Sequence, residues 1–97
     1  MEIKPILEER GSRYGKFKNN AEVSQYLKFT IKSAFNSNNH KIYDYHYEAL
    51  DNICQKMARI ANGDPNYEDN WVDIIGYSQL ALNEIRNNKT ATGSLKV

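Results

Sequence analysis

Two prolines, Pro5 and Pro65, and five glycines are the strong backbone breakers of this chain, and they leave long stretches uninterrupted. No stretch alternates apolar and polar residues for long enough to make a convincing strand. The chain therefore reads as all-α. Its 97 residues suffice for one domain, and a helical domain of that size buries proportionally less surface than a larger one. A second copy sharing the core relieves that shortage, so the expected architecture is a small bundle of about four helices completed by homo-oligomerisation.

Apolar periodicity locates the helices. Ile3, Ile6 and Leu7 suggest a short first helix that stops before Gly11, followed by a loop bracketed by Gly11 and Gly15. A second helix is expected from Asn20, a good N-cap, with Val23, Leu27, Thr30, Ile31 and Ala34 on one stripe and the run Asn36-Ser-Asn-Asn39 as its end. Leu50, Ile53, Cys54, Met57, Ile60 and Ala61 define a third helix from about Tyr45, with Gly63 as its cap and Pro65 preventing continuation. The fourth runs from about Tyr67 to Asn87, with Trp71, Ile74, Ile75, Ser78, Leu82 and Ile85 on one face. Residues 89–97 show no periodicity and read as a mobile tail behind a single helical domain spanning 1–88.

Composition narrows the functional classes. Thirteen Lys and Arg stand against twelve Asp and Glu, for a net charge of +1, so the basic excess that drives binding to long nucleic acid is missing. The single cysteine, Cys54, has no partner for an intrachain disulfide, and a zinc site around it needs three further ligands from a chain with two histidines. A reducing compartment, the cytoplasm, is the expected location. No stretch has the apolar length of a signal peptide or a membrane span, so no membrane partner is expected.

The charge is divided along the chain. From Arg10 to Lys32 the basic residues are Arg10, Arg13, Lys16, Lys18, Lys28 and Lys32, opposed only by Glu22, with Tyr14, Phe17, Tyr26 and Phe29 among them. Arginines present planar donors to phosphate, glycines admit close backbone approach, and aromatic rings stack on bases. The Arg10 to Lys18 segment thus has the parts of a nucleotide-binding loop, with Arg10, Arg13, Tyr14, Lys16 and Lys18 as candidate contacts; its glycine spacing is not that of a P-loop. The plainer alternative is a solvated basic loop with Tyr14 and Phe17 packed in the core.

From Asp44 to Glu84 the balance reverses: eight acids are opposed by Lys56 and Arg59. Glu48 and Asp51 stand one above the other on the third helix, as Asp69 and Asp73 do on the fourth. If the two helices pack antiparallel across the Gly63 to Asn66 turn, the pairs face each other and form the oxygen-rich cluster that suits Mg²⁺. The same acids also have ordinary roles. Asp69 lies in the first turn of a helix, where a carboxylate favours the dipole, and Glu48 and Asp51 fit a solvated face. Asp73, between Trp71 and Ile74, needs a partner or a metal. Lys56 and Arg59 are cations within reach of such a cluster.

Glu48 and Asp51, then Lys56-Met-Ala-Arg59-Ile60, then Glu68-Asp69-Asn-Trp-Val-Asp73-Ile-Ile-Gly-Tyr77-Ser resemble the two core helices of the MazG-like all-α nucleotide pyrophosphatase superfamily, in particular its small phage-borne branches. The resemblance covers roughly Tyr45 to Leu82. It implies a helical bundle shared between subunits, with Glu48, Asp51, Asp69 and Asp73 on Mg²⁺ and a nucleoside triphosphate cleaved between its α and β phosphates; Tyr77 is carried along as a ligand contact. Two positions depart from the family pattern. Asp51 stands where Glu is usual, and Asn70 replaces the Glu three residues before Asp73, which removes a negative charge from the metal site.

The expected function is accordingly a phage-type homo-oligomer that binds a small nucleotide-like, phosphate-bearing ligand and sequesters it, as a defence signal would be captured. A Mg²⁺-dependent triphosphate pyrophosphatase is the alternative, and an interaction protein without a ligand is the third.

Overall fold

Helices form where the sequence lacks breakers, and the two glycines that end helices meet in space. The computed structural model describes the backbone of residues 3–96 and the side chains of residues 3–89. It contains α1 (Lys4–Tyr14), α2 (Phe17–Asn38), α3 (Asp44–Asn62) and α4 (Glu68–Lys96), with no strand among the described residues. The expected all-α fold is borne out. α2 and α4 both pack along α3, and α1 touches α3 over a smaller area. The expectation of a mobile tail falls mostly on side chains outside the described range; the backbone of α4 continues past Asn87 to Lys96.

α1 is longer than its apolar pattern indicates. Pro5 occupies its first turn, where a missing N–H loses no helical hydrogen bond. Gly11 remains inside the helix, a placement that costs about 1 kcal/mol relative to alanine but breaks nothing. The break comes at Gly15, whose φ of 85° is closed to ordinary L-residues. The expected loop from Gly11 to Gly15 is therefore corrected to a tight corner at Gly15 and Lys16. α2 likewise begins at Phe17 rather than near Asn20. Asn20 instead serves the preceding helix: its Nδ2 donates to the Tyr14 carbonyl at 2.6 Å, satisfying an acceptor that α1 leaves open.

The buried faces also differ from the expected stripes. On α2, Ser24 is the buried residue, with Leu27, Lys28 and Ile31 half-buried, whereas Thr30 and Ala34 are exposed. On α3 the fully buried residues are Ala49, Cys54 and Ala58, small side chains that let α2 and α4 approach from two sides, while Met57 and Ala61 are exposed. α4 turns Asn70, Ile74, Tyr77, Ala81 and Ile85 inward and leaves Trp71, Ile75 and Leu82 exposed. The indole explains this rotation: Trp71 Nε1 donates to the Pro65 carbonyl at 2.8 Å, which holds the ring against the turn and off α3.

Two corners lock the arrangement. A Cβ on Gly15 would lie 2.7 Å from the Asn62 carbonyl carbon, and one on Gly63 would lie 2.7 Å from the Gly15 nitrogen. Backbone thus packs directly on backbone, and the Asp64 N–H donates to the Arg13 carbonyl at 3.0 Å across the contact. Asn62 Nδ2 adds a bond to Asn20 Oδ1 at 3.1 Å. As expected, Gly63 ends α3, its N–H donating to the Arg59 carbonyl at 2.8 Å. These contacts hold the α1–α2 hairpin over the C-terminal end of α3.

Candidate functional site

The α1–α2 hairpin encloses a cavity of about 590 Å³ against α3. α1 lines it with Leu7, Arg10 and Tyr14, the corner with Lys16, α2 with Phe17, Asn20, Ser24, Gln25 and Lys28, and α3 with Gln55 and Arg59. Four cations line this space and no carboxylate does. The guanidiniums of Arg10 and Arg59 lie 5.0 and 4.8 Å from the centre of the Tyr14 ring, so one phenol gathers the two arginines from different helices. Among the described residues, none of Arg10, Lys16, Lys28 and Arg59 makes an ion pair. The Ser24 hydroxyl is buried at this wall without a hydrogen-bond partner. Phe17 is 88% exposed at the rim, so it is not the core residue that the plainer alternative required.

Of the eight ligand contacts expected from sequence, Arg10, Tyr14, Lys16 and Arg59 meet here and the other four do not. Arg13 pairs with Glu9 at 2.7 Å and donates to the Tyr67 hydroxyl at 3.2 Å, and the carboxylate of Glu9, then Tyr67, holds its guanidinium pKa above the ordinary value. It serves the corner and lies outside the cavity. Lys18 points to solvent, 3.9 Å from Glu22. Lys56 reaches across to α4 and pairs with Asp73 at 2.9 Å. Tyr77 is half-buried on the inward face of α4, away from the cavity.

The carboxylates expected to gather around Mg²⁺ are each engaged separately. Asp51 turns to α2 and lies 3.8 Å from Lys32, Asp73 holds Lys56, Glu48 accepts from Asn52 Nδ2 at 3.0 Å, and Asp69 accepts from the Tyr67 hydroxyl at 2.8 Å. Among the described residues no three His, Cys, Asp or Glu side chains come close enough to hold a metal ion. The facing pairs expected across the α3–α4 turn are corrected on this point, because Asp51 faces α2 while Asp73 faces α3. Asn70 is completely buried with both amide atoms unpartnered.

No family model, curated protein or solved structure matches this chain. The case for a site rests on geometry.

Sequence reading passed over Ser24, Gln25, Lys28, Asn20 and Gln55 as cavity residues. A signal was present for some of them. Phe17, Ala21, Ser24 and Lys28 recur at helical spacing, as Gln55 and Arg59 do on α3, so each set shares a face. The mixed chemistry of those faces hid them from an apolar pattern search. Cys54, buried between the helices, is not part of any site; burial pushes its thiol pKa up and keeps it protonated. No described helix is long and apolar enough to cross a membrane.

Proposed function

We propose that this protein is a homo-oligomeric binding module that captures a small, phosphate-bearing, nucleotide-like ligand in the α1–α2–α3 cavity. The observation that carries the reading is the acid-free lining: Arg10, Lys16, Lys28 and Arg59 face one volume of about 590 Å³ and none of them makes an ion pair among the described residues. A volume of that order suits a small organic ligand. Bringing cations together without counter-charges costs electrostatic energy that an anionic ligand recovers.

The remaining lining offers groups for the rest of such a ligand. Arginine forks take phosphate oxygens. The unpartnered Ser24 hydroxyl supplies one further donor, and leaving it unsatisfied costs about 1 to 3 kcal/mol until a ligand atom meets it. Phe17 offers an open ring face for a base, and Asn20, Gln25 and Gln55 carry amides that match base edges. Capture without turnover is favoured over hydrolysis because the carboxylates of the expected motif are spent on Lys32, Lys56, Asn52 and Tyr67. In the phage setting that the resemblance over Tyr45–Leu82 implies, such a module removes a nucleotide signal from the host cytoplasm.

Calorimetric titration tests the reading directly. The panel holds nucleoside mono-, di- and triphosphates, cyclic nucleotides, ADP-ribose and inorganic phosphate, each with and without Mg²⁺, with the ligand recovered and analysed afterwards. The expected result is saturable binding of a nucleotide that is recovered unchanged. The double variant Arg10→Ala/Arg59→Ala should weaken it by on the order of tenfold or more for each charged hydrogen bond lost. Absence of binding across the panel, or unchanged affinity in the double variant, overturns the proposal; conversion of a triphosphate would restore the pyrophosphatase reading.

A further inference from the structure

The cations of the cavity are not spread evenly along it. Arg10 and Arg59 converge on the Tyr14 ring, at 5.0 and 4.8 Å from its centre, and Asn20 fixes the level of that residue on α2 by donating to the Tyr14 carbonyl. Lys28 lies two turns further along α2, about 12 Å by helical rise. The register against α3 is set by Asn62, which bonds Asn20, and by Asp51, 3.8 Å from Lys32. The two helices therefore run antiparallel, and Lys28 stands level with Gln55, one turn of α3 away from Arg59. An arginine pole and a lysine pole are thus separated by at least one turn, about 6 Å along the axis. On α2 the residue between Asn20 and Lys28 on this face is Ser24, 4% exposed, its hydroxyl without a hydrogen-bond partner.

Lys28 is half-buried and makes no ion pair among the described residues. Its charge acts on the Cys54 thiol, which burial keeps protonated, and Asp51, the acid that acts on the same thiol, lies beside Lys32. A half-buried ammonium for which the fold supplies no acid is met by an anion from outside. A single phosphate held by the two arginines leaves Lys28 unmet. A diphosphate does so too, because its two phosphorus atoms share one oxygen and sit closer together than the poles. Two phosphates on different carbons of one ribose are held apart by the sugar, and the sugar between them carries a hydroxyl for Ser24. We infer that the cavity selects a nucleotide with two phosphates separated by ribose, one at Arg10 and Arg59 and the other at Lys28, and that Lys28 sets this preference. The inference rests on the nucleotide capture proposed above and names the class of nucleotide captured.

Adenosine 3′,5′-bisphosphate and ADP carry the same two phosphates and differ in where the second is attached, so a pair of calorimetric titrations isolates the spacing; AMP is the reference for one phosphate. The wild-type chain is expected to bind the bisphosphate on the order of tenfold more tightly than either ADP or AMP, the worth of one charged hydrogen bond. Lys28→Met keeps the aliphatic stem and strands no acid. It should bring the bisphosphate down to the affinity of AMP while leaving AMP within about twofold of the wild type, and Lys28→Arg should keep the preference. Far-ultraviolet circular dichroism checks the helical content of each variant. Equal affinity of the wild-type chain for the bisphosphate and ADP, or a Lys28→Met loss as large for AMP as for the bisphosphate, overturns the two-pole arrangement and leaves nucleotide capture standing. Binding of another nucleotide of the panel but none of these three does the same. Absence of binding across the whole panel overturns capture and the two-pole arrangement together.

Discussion

Arg59 and Lys56 stand about one turn apart on α3, and their surroundings are opposite. Lys56 lies on the α4 side, 2.9 Å from Asp73, its charge neutralised inside the fold. Arg59 lies on the α1 side, 4.8 Å from the centre of the Tyr14 ring that Arg10 also approaches, at 5.0 Å. The two flanks of α3 thus carry similar residue types with different amounts of uncompensated charge. The difference teaches that charge sign alone does not set a cavity apart in a chain near neutrality; what sets the α1 flank apart is charge for which the fold supplies no opposite partner.

The largest way to break the contrast acts on the joint that creates one of the flanks. Gly15→Ala adds a Cβ against the Asn62 backbone at a φ closed to alanine, and should cost about 3 kcal/mol from backbone strain and collision together, read by urea unfolding. Gly11→Ala is its control. Nothing beyond the helix's own neighbouring backbone lies within 4 Å of the added carbon, and replacing glycine in a helix interior should stabilise the chain by about 0.5 to 1 kcal/mol.

Truncating the two α3 cations compares the flanks directly. Arg59→Ala should weaken binding of the nucleotide identified in the panel by about tenfold, whereas Lys56→Ala should leave it unchanged within twofold. Equal losses in the two calorimetric titrations would erase the distinction between the flanks. The same pair of variants should show a smaller effect on stability in the reverse order. Lys56→Ala strands Asp73, and with that carboxylate nearly half exposed the loss should stay under about 1 kcal/mol by thermal unfolding; Arg59→Ala strands no acid.

The smallest effect is a pH dependence. The Tyr67 hydroxyl donates to Asp69, and losing its proton would leave two negative oxygens side by side, so its pKa is raised above the ordinary 10. A group whose pKa is raised by folding stabilises fully below its unfolded value, and that stabilisation is lost as pH rises through the folded value. Cys54 acts in the same direction from its ordinary value of 9 upward, because burial disfavours the thiolate. The unfolding midpoint should therefore fall progressively above pH 9, and Tyr67→Phe should remove only the upper part of that fall. A Tyr67→Phe profile superimposable on the wild type would dissociate the hydroxyl from the corner.

Much of the architecture was legible from periodicity. α3 emerges within a residue of its expected bounds because Gly63 and Pro65 punctuate its end and aliphatic residues recur along it. α1 was not, since Gly11 resembles a terminator and only the backbone angle at Gly15 identifies the true one. The rotation of α4 escaped for a different reason: its two apolar stripes are adjacent, and the choice between them is made by a hydrogen bond from Trp71 to the turn. For the candidate site, the basic density around Arg10 to Lys18 pointed to the end of the molecule that holds the cavity. It could not separate Arg10 and Lys16 from Arg13 and Lys18, because that depends on which cation meets Glu9 or Glu22 first.

The packing of the Gly15 corner on the Gly63 corner also has a kinetic side. α2 with α3, and α3 with α4, are helical hairpins joined by short connections, so their contacts close small loops and form early. The corner is different: the bond from Arg13 to Tyr67 spans 54 residues of sequence, and its closure entropy must be met before any of its contacts contribute. A refolding chain is thus expected to regain its helical signal first and its cavity last, with a lag between circular dichroism and ligand capture that lengthens whenever the glycine joint is weakened.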